Sequence, residues 1–524
     1  MNFLLHHMLW SSAGRFPDKE ALVHGSERLS YREVSQRVAS LAVGLQGAGT
    51  ERCDRVGIYL DASIPQALSI FAVAQAGGTF VPINNHLFPE QVAYIVNNCA
   101  IKGLITSKAK LTTLRPVLDN LPSLRFVVLV GEGEDVELQI PRYAFADLCM
   151  LPEPRVWRDT NIDKDLAAIL YTSGSTGKPK GVMLSHAQVM AGASIVSTYL
   201  EITERERILA ILPFSFDAGM NQLTTAIQQG ATLVLMSFLF AREIVHALDK
   251  EHITGLAGVP TLWSLIAQEN STLHKHKLPY LRYITNTGGA MPQSVLAVLR
   301  KQLPTTRIFL MYGLTEAFRS TYLPPEELDR RPTSMGKAIP NTEILVVNED
   351  GQPCKPGEVG ELVHRGPTVS MGYWGEAELT AQVLRPHPYL PSELGRDEKV
   401  CYSGDLVYAD EDKFLYFVGR RDTMIKSSGF RVSPTEVEEA LYSSGKLQGA
   451  AVIGIPDDIL GQAIKAFVVP RDSSPIEPKD LIAYCGTKLP RYMIPKLVEV
   501  LSELPKTTSG KVDYPALRRR EGLA

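Results

Sequence analysis

Between residues 55 and 315 the chain alternates short apolar runs with stretches of helical spacing, and this alternation limits its possible folds more than any other feature. Arg55–Leu60, Thr79–Ile83, Arg125–Val130, Ala167–Tyr171, Thr232–Met236 and Arg282–Thr285 read as strands. Between them, Ile64–Gln75 and Pro292–Gln302 space Leu, Ile, Ala and Val as helices do. The pattern predicts an α/β fold of layered subdomains on mostly parallel sheets. From about residue 335 Gly and Pro recur among β-rich pieces (Glu343–Val347, Gly360–His364, Phe414–Gly419), which predicts a β-rich subdomain over 335–420. After Arg420, helical signals (Ser433–Tyr442, Lys479–Leu489) and strand signals (Ala450–Ile455, Lys465–Val469) predict a small α+β domain. The expected division is therefore 1–420 and 421–524.

A length of 524 residues is too great for one ordinary core. A composition of 45% hydrophobic and 21% charged residues is that of a soluble globular protein. The formal net charge of -3 gives no reason to expect nucleic acid or an anionic membrane as partner. Six cysteines stand far apart with no CxxC pair, against a zinc site or disulfide framework and in keeping with a reducing cytoplasm. The first residues are a poor signal peptide, lacking a basic lead and a small-residue cleavage site. The greasiest stretch, Ala231–Ala241, is far short of the roughly 18 apolar residues of a membrane span and reads as a buried strand. A cytoplasmic location is expected.

The strongest local signal is Tyr171-Thr-Ser-Gly-Ser-Thr-Gly-Lys-Pro-Lys-Gly181. Gly174 and Gly177 let backbone N–H groups approach an anion. Thr172, Ser173, Ser175 and Thr176 add donors, and Lys178 and Lys180 add the charge a triphosphate requires. The bland alternative is a Gly/Ser surface loop. A Walker loop is excluded: Thr172 stands where its first Gly belongs, and Pro179 where its Ser or Thr does. Tyr312-Gly-Leu-Thr-Glu316 brings a ring, a hydroxyl and a carboxylate together, able to stack a base, hold phosphate and hold Mg²⁺. Tyr402-Ser-Gly-Asp405 places a carboxylate where it can accept from ribose hydroxyls, and Pro505-Lys-Thr-Thr-Ser-Gly-Lys511 carries a lysine on a late loop. Taken singly, each has a dull reading as core, turn or tail.

In this order the motifs resemble the superfamily of acyl-CoA synthetases, peptide-synthetase adenylation domains and luciferases. The likeness runs from Leu29-Ser-Tyr-Arg-Glu33 to Lys511 and includes Gly360-Glu-Leu-Val-His-Arg-Gly366, Gly372-Tyr-Trp374, Gly419-Arg-Arg-Asp422, Ile425–Val432 and Leu489–Pro495. It implies an ATP-dependent ligase that makes an acyl-AMP and passes the acyl group to a thiol. It implies a nucleotide site of Gly288, Gly289, Ala290, Met311, Tyr312, Gly313, Thr315, Asp405 and Arg420 with the 172–178 loop, and Mg²⁺ on Glu316. Thr172, Glu316 and Lys511 would be catalytic, Lys511 bridging the carboxylate and the α-phosphate. Asp422 would be the hinge of a mobile C-terminal domain, and Gly429 would line a pantetheine tunnel after it turns.

Membership leaves the acid open. The resemblance puts Asp217, Ala218, Asn221, Ala257, Thr285, Thr287, Met311, Arg319 and Ser320 around it. In amino-acid-activating relatives a Phe-Asp pair often stands where Phe216-Asp217 does, the Asp holding the ammonium. A carboxylate in a closed pocket calls for a cation. Asp217 also precedes a helical pattern (Met220, Leu223, Ile227) stopped by Gly230, so its alternative reading is an N-cap. Arg319 either reads a second carboxylate or turns away to pair with Glu316 or surface acids, and the second is expected. The run Glu316–Glu327 resembles stand-alone ligases of secondary-metabolite and exosortase-associated gene sets. The expected reaction is activation of a small amino acid such as proline and its loading onto the phosphopantetheine of a carrier protein in trans. The alternatives are an acyl-CoA ligase using free CoA and a non-catalytic nucleotide-binding regulator, the last disfavoured by Glu316, Asp405 and Lys511. Lys511→Ala is expected to abolish pyrophosphate exchange while supplied acyl-AMP still reacts with thiol. Normal exchange in that variant would remove Lys511 from the first half-reaction.

Overall fold

The computed structural model describes residues 2–133, 136–152, 156–172, 179–291, 293–395, 398–420, 425–432, 434–470, 476–505 and 512–523. Two large sheets carry the α/β region, as the alternating pattern predicts. One has nine strands in the order Lys337–Ala338, Ala317–Leu323, Arg307–Leu314, Tyr283–Asn286, Gly255–Gly258, Arg207–Ala210, Thr232–Leu235, Glu20–His24, Glu27–Ser30. It is parallel from Arg307–Leu314 to Glu20–His24 and antiparallel at both edges. The other has seven strands in the order Arg142–Ala144, Phe126–Val130, Gly103–Ser107, Arg55–Tyr59, Thr79–Pro82, Leu166–Thr172, Lys180–Ser185. Only its last pair is antiparallel, and that hairpin carries the Gly/Ser/Thr loop.

The helices between the sheets belong to the largest core, which joins Leu41, Phe71, Phe80, Leu170, Leu223, Leu233 and Phe309. Helix Ile64–Gln75 is buried on every side except at Pro65, the consequence of an apolar sequence with no polar face. Its start is set by Ser63, whose hydroxyl accepts the Gln66 N–H. Gly230 ends helix Asp217–Gln229 in the left-handed region at φ +78°, as its place after Ile227 predicts. The Ala231–Ala241 stretch gives a buried strand only over Thr232–Leu235, and beyond it Leu239 is 85% exposed.

The β-rich part is an antiparallel five-stranded sheet of Glu343–Val347, Gly360–Arg365, Lys399–Ala409, Leu384–Pro386 and Leu415–Arg420. A further sheet built from Ile425–Ser427, Phe430–Val432, Leu447–Asp457, Gly461–Pro470 and Leu497–Val500 has cores of its own. All six cysteines are free. Among the described residues, no helix is long and apolar enough to cross a membrane.

The first helix, Leu5–Arg15, is fastened by histidines. His6 and His7 bond the two oxygens of Asp159 at 2.8 and 2.9 Å, and His186 Nδ1 accepts the Leu5 N–H at 3.2 Å. Burial lowers His186 from 6.5 to about 4 and lowers His6 as well. The His186 ring stays neutral in the fold down to about pH 4 and protonates first on unfolding. The stability His186 carries is therefore complete above pH 6.5 and is lost as the pH falls towards 4. For His186 this amounts to at most about 3 kcal/mol. His186→Asn should melt lower than wild type at neutral pH, yet lose less on acidification through that window. Parallel slopes of melting temperature against pH would contradict the assignment.

Candidate active site

The site forms where the parallel strands of the large sheet end, since each strand's carboxyl end hands its loop to the same side. Thr287 and the run Gly288–Ala290 follow strand Tyr283–Asn286, Val259 follows Gly255–Gly258, and Thr315 and Glu316 follow Arg307–Leu314. Thr287 is fixed by its N–H, which donates to the Gly258 carbonyl at 3.0 Å.

Two carboxylates expected to serve the nucleotide are buried and held by tyrosines. Asp405 is fully buried in strand Lys399–Ala409 and accepts the Tyr312 hydroxyl. Its Cα partner across the sheet is Arg420. Tyr312 is half-buried and lies nearly parallel to the His364 ring, 19° apart with centroids at 6.0 Å. Glu316, 7% exposed, accepts the Tyr373 hydroxyl at 2.7 Å, and its carbonyl accepts the Ser370 N–H at 2.8 Å. Tyr373 belongs to the Gly372-Tyr-Trp374 motif, to which the sequence attaches no role. The surrounding segment is zipped to the hairpin of Leu166–Thr172 and Lys180–Ser185: Met183 N–H donates to Gly372 O at 2.9 Å and Trp374 N–H to Gly181 O at 2.8 Å. A buried carboxylate beside Thr315, turned towards the hairpin by a neutral hydroxyl, suits a hard cation, so Glu316 fits the Mg²⁺ expected there. Half-buried Thr172 pairs with Lys180 at the end of the hairpin. Ser173, Gly174, Ser175, Thr176, Gly177, Lys178, Asp422 and Lys511 lie outside the described residues.

A cavity opens next to this seat, between the helix layer and the large sheet. Of the residues that the resemblance puts around the acid, Asn221, Ala257, Thr285, Met311 and Arg319 line the cavity, with Val196, Leu200, Ile202, Ile208, Gln222, Thr225 and Tyr283 completing the wall. Side chains alternate along a strand, so Met311 faces this cavity while Tyr312 serves Asp405. Ala218, Asp217 and Thr287 are not part of the lining. Asp217 is the first residue of helix Asp217–Gln229, one place inside the N-cap position, which is Phe216. Its Oδ1 accepts the Ala218 N–H at 2.7 Å, and a carboxylate there is favoured by the helix dipole.

Arg319 does not turn away. It is 4% exposed, lines the cavity, and donates from Nη1 to Thr287 Oγ1 at 3.0 Å. Its backbone has φ +56° on a bulge, where Phe318–Ser320 stand opposite Gly313. A Cβ on Gly313 would meet Arg319 Cα at 2.9 Å, so only glycine allows the bulge to pack. Hydrophobic periodicity carries no sign of such a bulge.

The C-terminal segment also reaches the site. Gly429 (φ +79°) lies against Val259 and brings its carbonyl to Gly288, while Phe430 meets Phe216 edge-on at 4.9 Å and stacks on Tyr492 at 3.7 Å.

The sequence matches the family model of AMP-binding enzymes over residues 9–374 and that of the AMP-binding enzyme C-terminal domain over 436–511. It is 33% identical to a feruloyl-CoA synthase of Amycolatopsis sp, over 97% of this chain and 96% of the relative. It is 30% identical to tyrocidine synthase 1 of Brevibacillus parabrevis, over 98% of this chain but 44% of that protein. The fold is similar to that of an amide bond synthetase from Marinactinospora thermotolerans, with TM-score 0.88, 23% identity and 99% of both chains covered.

A Cβ on Gly429 would sit 2.7 Å from Val259 Cβ, on backbone that L side chains rarely adopt. Gly429→Leu should leave pyrophosphate exchange near wild type and slow thioester formation about tenfold or more, the size of an overpacking cost. Equal loss of both steps would count against a role confined to the thiol.

Proposed function

The chain belongs to the AMP-binding enzyme family and is an AMP-forming ligase that adenylates an acid with ATP; we propose that this acid is not an amino acid and that its acyl group passes to coenzyme A. The observation that carries the reading is the charge of the cavity. Its one charged lining residue among the described residues is Arg319, and Asp217 is engaged by the start of its own helix. An ammonium group placed there would face a cation with no carboxylate in the wall to offset it. The relatives support CoA as acceptor. The feruloyl-CoA synthase and a long-chain-fatty-acid–CoA ligase of Bacillus subtilis match this chain end to end, covering 96% and 94% of their own lengths.

In this reading Asp405 and Arg420 hold the ribose, Tyr312 and Gly288–Ala290 the base, and Thr315 with the 172–178 loop the phosphates. Glu316 would hold Mg²⁺, which would supply positive charge to the phosphates. Lys511 stabilises the charge that develops as the carboxylate attacks the α-phosphate. Pyrophosphate leaves, the 421–524 domain turns about Asp422, and Gly429 beside Val259 and Gly288 lines the path of the pantetheine thiol.

The second reading, a small amino acid loaded onto a carrier protein, draws on Asp217, half-buried in the first turn of a helix that lines the cavity. A pyrophosphate-exchange screen without thiol, over amino acids and their deaminated counterparts, separates the two. Deaminated acids should be preferred. Asp217→Ala should leave the amino-to-deamino ratio of kcat/KM unchanged and cost about 0.5–1 kcal/mol of stability. A fall of about a hundredfold or more in kcat/KM confined to amino substrates would establish an ammonium contact and the carrier-protein reading.

A further inference from the structure

Arg319 presents a chemical imbalance that the adenylation reaction leaves unused. Its guanidinium is buried, and among the described residues the partners it has are neutral: the Thr287 hydroxyl and, at 5.6 Å, the Phe318 ring. Nε meets no acceptor. Across the same cavity the Asn221 side-chain nitrogen is buried without an acceptor too, in a residue only 3% exposed. Gln222 spends its own nitrogen on the Leu209 carbonyl at 3.0 Å. The wall thus holds a cation and an amide donor beside the polar groups of Gln222, Thr225, Tyr283 and Thr285, and the remaining lining, Val196, Leu200, Ile202, Ile208, Ala257 and Met311, is apolar. A buried cation without a counter-charge is strongly unfavourable, and buried donors take acceptors when these are offered. The backbone is bent to make this arrangement. A non-glycine residue at φ +56° is costly, and such residues collect at ligand-binding positions.

Position tells which end of a ligand Arg319 would meet. The adenylate seat lies on the Tyr312, Thr315 and Glu316 side of strand Arg307–Leu314 and its turn. Arg319 lies with Met311, Thr285 and Tyr283, among residues buried under the helix layer. It faces the far part of the acid, away from the carboxylate to be activated.

We propose that Arg319, positioned by Thr287 and assisted by Asn221, receives a second anionic group on the substrate, which is therefore an acid carrying a further carboxylate that is not activated. This deepens the reading of the enzyme as a ligase of non-amino acids and rests on it. Arg319 supplies the charge and a planar pair of donors that fits a carboxylate. Thr287 holds the guanidinium from the side of the nucleotide seat. The apolar wall fits the carbon skeleton between the two acid groups.

The test is pyrophosphate exchange by the full chain with succinic, glutaric, adipic and terephthalic acids. Each is set beside its monoamide and the monoacid of equal length. Wild type should favour at least one diacid over both partners by about a hundredfold or more in kcat/KM, the scale of a buried charge left unpaired. Arg319→Asn removes the charge in a residue that tolerates left-handed backbone. It should erase or reverse that preference while keeping exchange with the monoacid, which shows that the variant is folded. Arg319→Lys should restore part of the diacid preference. Thr287→Val should raise KM for the diacid and leave that for ATP unchanged. Wild-type exchange with monoacids and no diacid preference, or a preference that survives Arg319→Asn, overturns this assignment and leaves the acyl-CoA ligase reading in place. Exchange confined to amino acids overturns the reading beneath it instead.

Discussion

Two carboxylates withdrawn from water set the terms for this site. A buried carboxylate must be met by donors or a cation, because its desolvation is among the largest costs a fold can carry. Asp405 and Glu316 are met by tyrosines, Tyr312 and Tyr373, each of which comes from a different part of the chain. The first bond ties the large parallel sheet to the β-rich sheet. The second ties the turn after strand Arg307–Leu314 to the segment that also edges the hairpin of Leu166–Thr172 and Lys180–Ser185. The groups that would touch the nucleotide are thus also the groups that join the sheets. Neutral hydroxyls suit this task, since they orient an anion without cancelling its charge.

The C-terminal segment follows a different physical plan. Its contact with the large lobe includes a glycine against Val259 and a ring edge against Phe216. Contacts of this kind are non-directional and tolerate parting and rejoining, which is what the proposed turn of this segment calls for.

Much of this was legible in the sequence, for reasons that differ between elements. Helix Ile64–Gln75 and strand Glu343–Val347 fall where periodicity puts them, because length and apolar spacing decide both. The family and the adenylation chemistry were legible in the motifs, which match over nearly the whole chain. Asp217 was ambiguous in the sequence because a helix start and an ammonium site call for the same carboxylate. It stands one place inside the cap, bonded to the next residue. The expectation that Arg319 turns away missed for a definite reason. Its direction depends on a bulge in which three residues stand opposite Gly313, and such a break in the pairing of a strand is marked by no hydrophobic pattern. Tyr373 was in view as part of Gly372-Tyr-Trp374, yet its bond to Glu316 spans 57 residues and depends on tertiary packing.

The bulge has a consequence for how such a chain changes over generations. Arg319 is strained in its backbone and, among the described residues, meets no opposite charge, so the folded state without ligand gains by losing it. Relief of the left-handed conformation alone is worth about 1–2 kcal/mol. Selection for heat resistance alone would therefore discard this residue early, and its persistence in a lineage would record a demand made by the substrate.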